Sequence, residues 1–314
     1  MHPFLEKLQT KKATVVLAEA EDPRVILAAD IIATKNIAEL VLLGDKKKID
    51  ELKKKHKASF DFPVINPESY ETDFSEKLYA LRKGKVTQAQ AKKLAKDPHY
   101  FAAMLVKEGI ADAAVSGNLS PSAETMRAAL QIIGTQPRIK AFSYFMMLHP
   151  DKKEPYLFGD CALNISPDHT LLAEIAQGLS LEAKRFAMKP KVALLSYSTH
   201  GSGGGEPAKN VHKTLQLLKR KKILADELQF DAAIIPEIAS HKAPRSVVAG
   251  KANCFVFPSL MAGNIGYKLA ERLGAYHAVG PMIWGLKKPM NDLSRGCSAD
   301  DIVSVVHLTT HQVK

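Results

Sequence analysis

Cysteine is scarce in this chain: Cys161, Cys254 and Cys297 are the only three in 314 residues, far apart and without C-x-x-C spacing. This excludes a disulfide framework or a zinc site built on cysteine pairs and fits free thiols in a reducing compartment. No metal site is expected. Aromatic residues make up 7% with a single tryptophan, Trp284. They do not interleave with the basic runs Lys46-Lys47-Lys48, Lys53-Lys54-Lys55 and Lys219-Arg220-Lys221-Lys222, as base stacking would need. With no zinc-finger, helix-turn-helix or RNP pattern either, a nucleic-acid partner is not expected. No apolar run is long enough to span a bilayer, so no membrane segment is expected. The start Met1-His2-Pro3-Phe4-Leu5-Glu6-Lys7 lacks the apolar core and cleavage site of a signal peptide, and the expected location is the cytoplasm.

What is present is an ordinary globular composition, 46% hydrophobic and 25% charged. A chain of 314 residues exceeds the size at which one core keeps growing, which favours two domains. The formal charge of +11 draws anions, whether nucleic acid, phosphorylated metabolite or coenzyme, although the lysine runs read mainly as solvated helix faces. Hydropathy periodicity gives alternating strands and helices: strand 13–18, helix 23–34, strand 39–43, a helix from 47 and a weak strand 64–65. A polar helical stretch over 74–109, interrupted near Asp97-Pro98, precedes strand 111–116 and helix 121–134. Segments 141–148 and 156–162 flank a turn-like sequence and predict an antiparallel hairpin, near which a domain boundary is placed. Alternation resumes with helix 168–186, strand 192–196, helix 208–222, a short helix near 231–239, strand 254–257, helix 262–273, strand 277–279 and a final helix. The expected fold class is α/β: two doubly wound domains with parallel sheets and an interdomain cleft lined by loops from the carboxyl ends of strands.

Two segments carry chemistry. Asn291-Asp292-Leu293-Ser294-Arg295-Gly296-Cys297-Ser298-Ala299-Asp300-Asp301 puts a hydroxyl, a guanidinium and two carboxylates at one loop-to-helix junction, a grouping suited to acyl transfer. Ser298 reads as the N-cap of a helix whose buried face is Ile302, Val303, Val305 and Val306, so Ser294 and Arg295 fall just ahead of the helix and Asp301 in its first turn. The second segment is Ser196-Tyr197-Ser198-Thr199-His200-Gly201-Ser202-Gly203-Gly204-Gly205-Glu206-Pro207, between an apolar strand and a helix. Its glycines let backbone amides close on an anion, while Ser198, Thr199 and Ser202 supply hydroxyl donors. It matches neither the G-x-x-x-x-G-K-[ST] nor the G-x-G-x-x-G signature, which weakens ATPase and dinucleotide readings.

These two segments occur in one order with Leu228-Gln229-Phe230-Asp231-Ala232-Ala233-Ile234-Ile235-Pro236-Glu237, Ala249-Gly250-Lys251-Ala252-Asn253, Ala262-Gly263-Asn264-Ile265-Gly266-Tyr267-Lys268 and Gly280-Pro281-Met282-Ile283. With Arg127-Ala128-Ala129-Leu130-Gln131-Ile132-Ile133 upstream, the set resembles the phosphate acetyltransferase family, within the phosphate acetyl/butaryl transferases, from about residue 17 to 307. The resemblance implies a fold similar to isocitrate and isopropylmalate dehydrogenases, with the C-terminal segment returning to the first domain: 1–140 plus 295–314, and 141–294. It implies a homodimer, and reversible exchange of an acetyl group between CoA and inorganic phosphate by direct attack in a ternary complex. CoA is then a substrate, and no cofactor is tightly bound.

The family's roles, carried onto matching positions, make Asp301 the base that takes the CoA thiol proton, Ser294 the hydroxyl that positions it and Arg295 the oxyanion-stabilising guanidinium. Arg82 and Arg127 match arginines that bind CoA, with Ser294 and Arg295 also touching it. Ser198, Thr199, Gly201, Ser202 and Arg295 hold phosphate, and His200 stands where many relatives carry lysine. Cys297 is read as a small buried residue rather than an acyl carrier. Met282 and Trp284 fit an acyl pocket and core packing equally well. Phosphate butyryltransferase and a non-catalytic CoA- or phosphate-binding protein stay open as alternatives. An oxidoreductase of the same fold would need clustered metal-binding aspartates and a nicotinamide site, and neither pattern is found.

Overall fold

The computed structural model describes residues 1–9 and 11–313. In chain order its strands are β1 Thr14–Leu17, β2 Glu39–Leu43, β3 Val64–Ile65, β4 Ala113–Ser116, β5 Phe142–Leu148, β6 Tyr156–Gly159, β7 Val192–Leu195, β8 Ala225–Leu228, β9 Cys254–Val256, β10 His277–Trp284 and β11 Met290–Asp292. They fall into two compact units.

The first unit holds Leu5–Pro137 and Leu286–Lys314. Its sheet runs β11-β4-β1-β2-β3 with every pair parallel. Parallel strands covered on both faces should read as unbroken apolar runs, and Val15-Val16-Leu17 and Leu40-Val41-Leu42-Leu43 are buried in this way. The Pro23–Thr34 helix begins where Asp22 caps it and proline supplies the first turn. The polar stretch over 74–109 forms three helices, Ser75–Leu81, Gln88–Leu94 and Pro98–Glu108, the last two started by Thr87 and Asp97 caps. Helix 121–134 stays α-helical only over Ser122–Ala128 and then widens into a π-helical turn, Ala129–Ile133. The chain enters this unit again at Leu286 rather than 295. The reason is β11, which sequence periodicity does not suggest but which pairs with β4, Asp292 opposite Ser116.

From β1 the chain winds through β2 to β3 on one side, and then through β4 to β11 on the other. The strand order therefore reverses between β1 and β4, and loops leaving the carboxyl ends of those two strands diverge. Such a switch point opens a crevice for ligands in doubly wound sheets.

The second unit is Arg138–Gly285, with His2–Phe4. Its sheet, β10-β5-β6-β9-β7-β8, is parallel from β6 to β8 but antiparallel across β10, β5 and β6. The hairpin expected over 141–162 is present, with Tyr144 opposite Gly159. Beyond that hairpin, β10 extends past the expected strand 277–279 to Trp284, through a register shift between Val279 and Met282, and pairs antiparallel with β5. Aromatic packing fills the core, with Phe158 against both Phe255 and Phe257.

Candidate active site

The reactive turn of the first unit begins where β11 ends. Leu293 N donates to Ser116 O at 2.8 Å, fixing the strand end beside β4. Cys297 N then donates to Ser294 O at 2.9 Å, and Gly296 N to Ser294 Oγ at 3.3 Å, closing a tight turn with Ser294 and Arg295 exposed. Ser298 caps the Ala299–Gln312 helix, as its sequence predicts. The cap is reciprocal: Ser298 Oγ accepts from Asp301 N at 3.2 Å, and Asp301 Oδ2 accepts from Ser298 N at 2.6 Å. Asp301 thus fastens the helix start as well as standing in its first turn. The helix points its amide ends and positive pole towards the Ser294–Arg295 side, which favours negative charge there.

Arg24 holds this turn in place. Its Nη1 donates to Arg295 O and to Cys297 O, both at 2.8 Å, and its Nη2 donates to Asn118 O at 2.8 Å. Asp22 receives the other edge of the guanidinium, from Nε at 3.0 Å and Nη2 at 2.6 Å. Burial alone would raise the Asp22 pKa, but the donors of Arg24 and Asn118 outweigh it and hold the carboxyl below its ordinary value. A bidentate pair of this kind fixes orientation as well as charge. Glu19, in the same loop after β1, accepts from Gly117 N at 2.9 Å, Leu119 N at 3.2 Å and Ser120 Oγ at 2.5 Å. His99 lies under it, its Nδ1 2.6 Å from Ser116 Oγ and its Nε2 3.8 Å from Glu19 Oε1. Glu19, Asp22, Arg24, His99 and Asn118 were not singled out in the sequence. For Glu19, Asp22 and Arg24 after β1, and Asn118 after β4, position beside the switch point is the signal that could have found them; His99, in the first turn of the Pro98–Glu108 helix, has no such signal.

Cys297 is buried inside the turn, and burial pushes its thiol up to about 11 despite Arg24 nearby. A thiol so reluctant to ionise is a poor nucleophile, which supports the packing role expected for it.

Arg82 and Arg127 come from different helices but share one neighbourhood. Burial raises the Tyr100 phenol, and the positive charges of Arg127 and Arg82 both oppose that rise. Tyr100 itself donates to Gln131 Oε1 at 2.9 Å. Arg127 is exposed, whereas Arg82 Nε is buried without a hydrogen-bond partner among the described residues. An unpaired guanidinium nitrogen beside a second arginine is suited to a phosphate group.

In the second unit the glycine loop follows β7 and leads into the Glu206–Arg220 helix. It is largely self-supporting: Gly203 N donates to Ser198 Oγ at 3.0 Å, and Thr199 N to Ser202 Oγ at 3.0 Å. Both hydroxyls act as acceptors there; Ser202 is exposed and keeps its proton for a ligand, whereas Ser198 is buried under the loop. The Thr199 hydroxyl instead donates to Gln229 Oε1 at 3.3 Å and accepts from Gln229 N at 3.1 Å, so it shapes the loop. Gly201 and Gly205 have φ of +80° and +94°, conformations that favour glycine. His200 Nε2 is 2.8 Å from Asp226 Oδ2. Positive charge comes from beside the loop: Lys209 and Lys213 line one pocket with His212, Gly201, Gly203 and Glu227.

Among the described residues no group of three or more His, Cys, Asp or Glu is placed to hold a metal ion, and no helix is long and apolar enough to cross a membrane.

Known proteins resemble this chain along almost its whole length. A phosphate acetyltransferase of Staphylococcus aureus (strain MRSA252) is 43% identical over 98% of this chain and 96% of its own length. A solved phosphotransacetylase from Streptococcus pyogenes is 43% identical, covers 99% of this chain and 96% of its own, and superposes with a TM-score of 0.91. A branched-chain phosphotransacylase from Enterococcus faecalis V583, at 19% identity, shares the fold with a TM-score of 0.70 over 96% of this chain and 99% of its own. The sequence profile described as Phosphate acetyl/butaryl transferase matches residues 1–310, and the chain belongs to that family.

Proposed function

We propose that this chain is an acyltransferase that moves an acetyl group reversibly between CoA and inorganic phosphate. The observation that carries this reading is the Ser294–Arg295 turn, pinned by Arg24 at the start of the helix that bears Asp301.

In the direction of thioester synthesis, Asp301 accepts the CoA thiol proton and the sulfur attacks the carbonyl carbon of acetyl phosphate. The carbonyl π bond opens to an oxyanion, which re-forms the carbonyl as the bond to phosphate breaks, releasing inorganic phosphate and acetyl-CoA. An ordinary thiol has a pKa of about 8.5 and an ordinary aspartate about 3.9, so the transfer is uphill unless the thiolate is stabilised as it forms. Arg295 and the amide end of the Ala299–Gln312 helix provide that stabilisation and hold the oxyanion, an effect typically worth about 3 kcal/mol. Ser294 orients the thiol and the base. Arg82 and Arg127 bind the phosphates of CoA, with Ser294 and Arg295 also in contact with it. In the second unit Ser198, Thr199, Gly201 and Ser202 form the phosphate subsite; in the first unit Arg295 is a cation for phosphate oxygens.

CoA, acetyl phosphate and phosphate are then the partners, as substrates. A homodimer is supported by the Leu260–Leu273 helix, which exposes Met261 (75%), Ile265 (53%), Leu269 (53%) and Leu273 (82%) at successive i+4 positions. The free thiols of Cys161, Cys254 and Cys297 support placing it in the cytoplasm.

The test is a panel of acyl phosphates with CoA, scored by thiol loss. Acetyl phosphate should give the highest kcat/KM. A preference for butyryl phosphate would move the chain to the other branch of its family, and no turnover with either would leave only a binding protein.

A further inference from the structure

Two carboxylates face the backbone of Gly117 in the first unit, and they are treated very differently. Glu19 receives three hydrogen bonds, one of them from Gly117 N. Asp292 is 0% exposed, and neither carboxylate oxygen has a hydrogen-bond partner of ordinary geometry among the described residues. A Cβ on Gly117 would lie 2.1 Å from Asp292 Oδ1, so the fit exists only because residue 117 lacks a side chain. The nearby hydroxyl of Thr125 is also buried and unpartnered.

A buried carboxylate without a hydrogen-bond partner of ordinary geometry costs free energy. Its position gives it a use. Asp292 ends β11, Leu293 N is tied to Ser116 O, and Ser294 and Arg295 come next. We propose that Asp292 is a positioning residue for acyl transfer: as a neutral acid it is the strut that seats residues 293–295 against Gly117. Ionisation there would set a second negative charge against Glu19 and loosen the seat. This rests on the assignment of Ser294 and Arg295 to the chemistry.

Burial raises the Asp292 carboxyl to about 7, the charge of Glu19 adds to the rise, and the hydroxyls of Ser122 and Thr125 oppose it without cancelling it. Titratable or charged groups also stand on the helices packed around it: Glu124 and Arg127 on Ser122–Ala128, His99 on Pro98–Glu108, and Asp300, Asp301, His307 and His311 on Ala299–Gln312. His99 lies 3.9 Å from Glu124, and the charge of Glu19, in the loop after β1, pushes Asp292 upward.

Asn is a near-isosteric stand-in for the neutral acid, so Asp292→Asn removes the titration and keeps the shape. In the wild type, kcat at saturating CoA and acetyl phosphate should decline as pH rises past about 7. In Asp292→Asn that limb should flatten to within about two-fold between roughly pH 6 and 8.5, with both KM values unchanged. Superimposable profiles would overturn the proposal. If the variant does not fold, the wild-type enzyme labelled with 13C at its aspartate carboxyls answers instead. One carboxyl should titrate near neutrality, and a set that titrates entirely below about pH 5 overturns the proposal. Loss of activity in Arg295→Ala alongside unchanged profiles would sink this inference while leaving the catalytic assignment standing, and an active Arg295→Ala would sink the assignment itself.

Discussion

The turn that carries Ser294 and Arg295 and the glycine loop at residues 198–205 are both proposed to meet anions, and they are held in place by opposite means. The turn is fixed from far away in sequence: Arg24 reaches across 271 positions to Arg295 O. The loop is fixed mostly by itself, through bonds that span three positions, Thr199 to Ser202, or five, Ser198 to Gly203. A single guanidinium that must meet one developing oxyanion gains from rigid placement, since misplacement forfeits most of its effect. A cradle of amides and hydroxyls spreads its contacts over several donors, and losing one leaves the rest.

Variants should separate these two designs, the turn failing steeply and the loop gradually. Arg295→Ala should lower kcat by about 10²–10³-fold in a folded protein, and near-normal turnover would remove its oxyanion role. Arg24→Met should follow, with a kcat loss of roughly ten-fold and destabilisation of about 2 kcal/mol read by urea unfolding, because Asp22 would be left buried with Asn118 as its remaining side-chain donor. The same pair has a pH signature. The Asp22 carboxyl is held below its ordinary 3.8 in the folded state. Its contribution is therefore complete above that value and is lost as pH falls through the folded pKa, so Arg24→Met should flatten acid unfolding in that window. Arg82→Ala and Arg127→Ala should each raise KM for CoA about ten-fold and KM for acetyl phosphate by much less; equal rises would move both arginines out of the coenzyme site. The smallest effect is expected in the loop: Ser198→Ala or Ser202→Ala should raise KM for acetyl phosphate by about three-fold with kcat nearly intact. A collapse of kcat in either would show that the loop is as intolerant as the turn.

The same contrast explains what the sequence discloses. The Ser298 cap is legible because Ser-Ala-Asp-Asp before an apolar run is a local signal, and the hairpin of β5 and β6 is legible from its turn residues. β11 is not, since Asn291 and Asp292 are buried polar residues that break the hydropathy pattern at the place where the chain needs a strand. β8 is hidden for a related reason: Ala225-Asp226-Glu227-Leu228 puts two acids on an edge strand. Arg82 and Arg127 enter as separate family matches, and only the fold places both beside Tyr100. Arg24 is an arginine after a helix-starting proline until its partners 94 and 273 positions away are known. Local chemistry can be read from the chain; support supplied at long range requires the structure.

Acyl transfer is proposed to be direct, within a ternary complex, with the buried thiol of Cys297 taking no part. Initial rates of acetyl-CoA formation, measured while CoA and acetyl phosphate are varied together, test it most directly. Reciprocal plots should intersect, and a Cys297→Ala enzyme should keep the same pattern. Parallel lines, with a chain that becomes acetylated when CoA is left out, would contradict it.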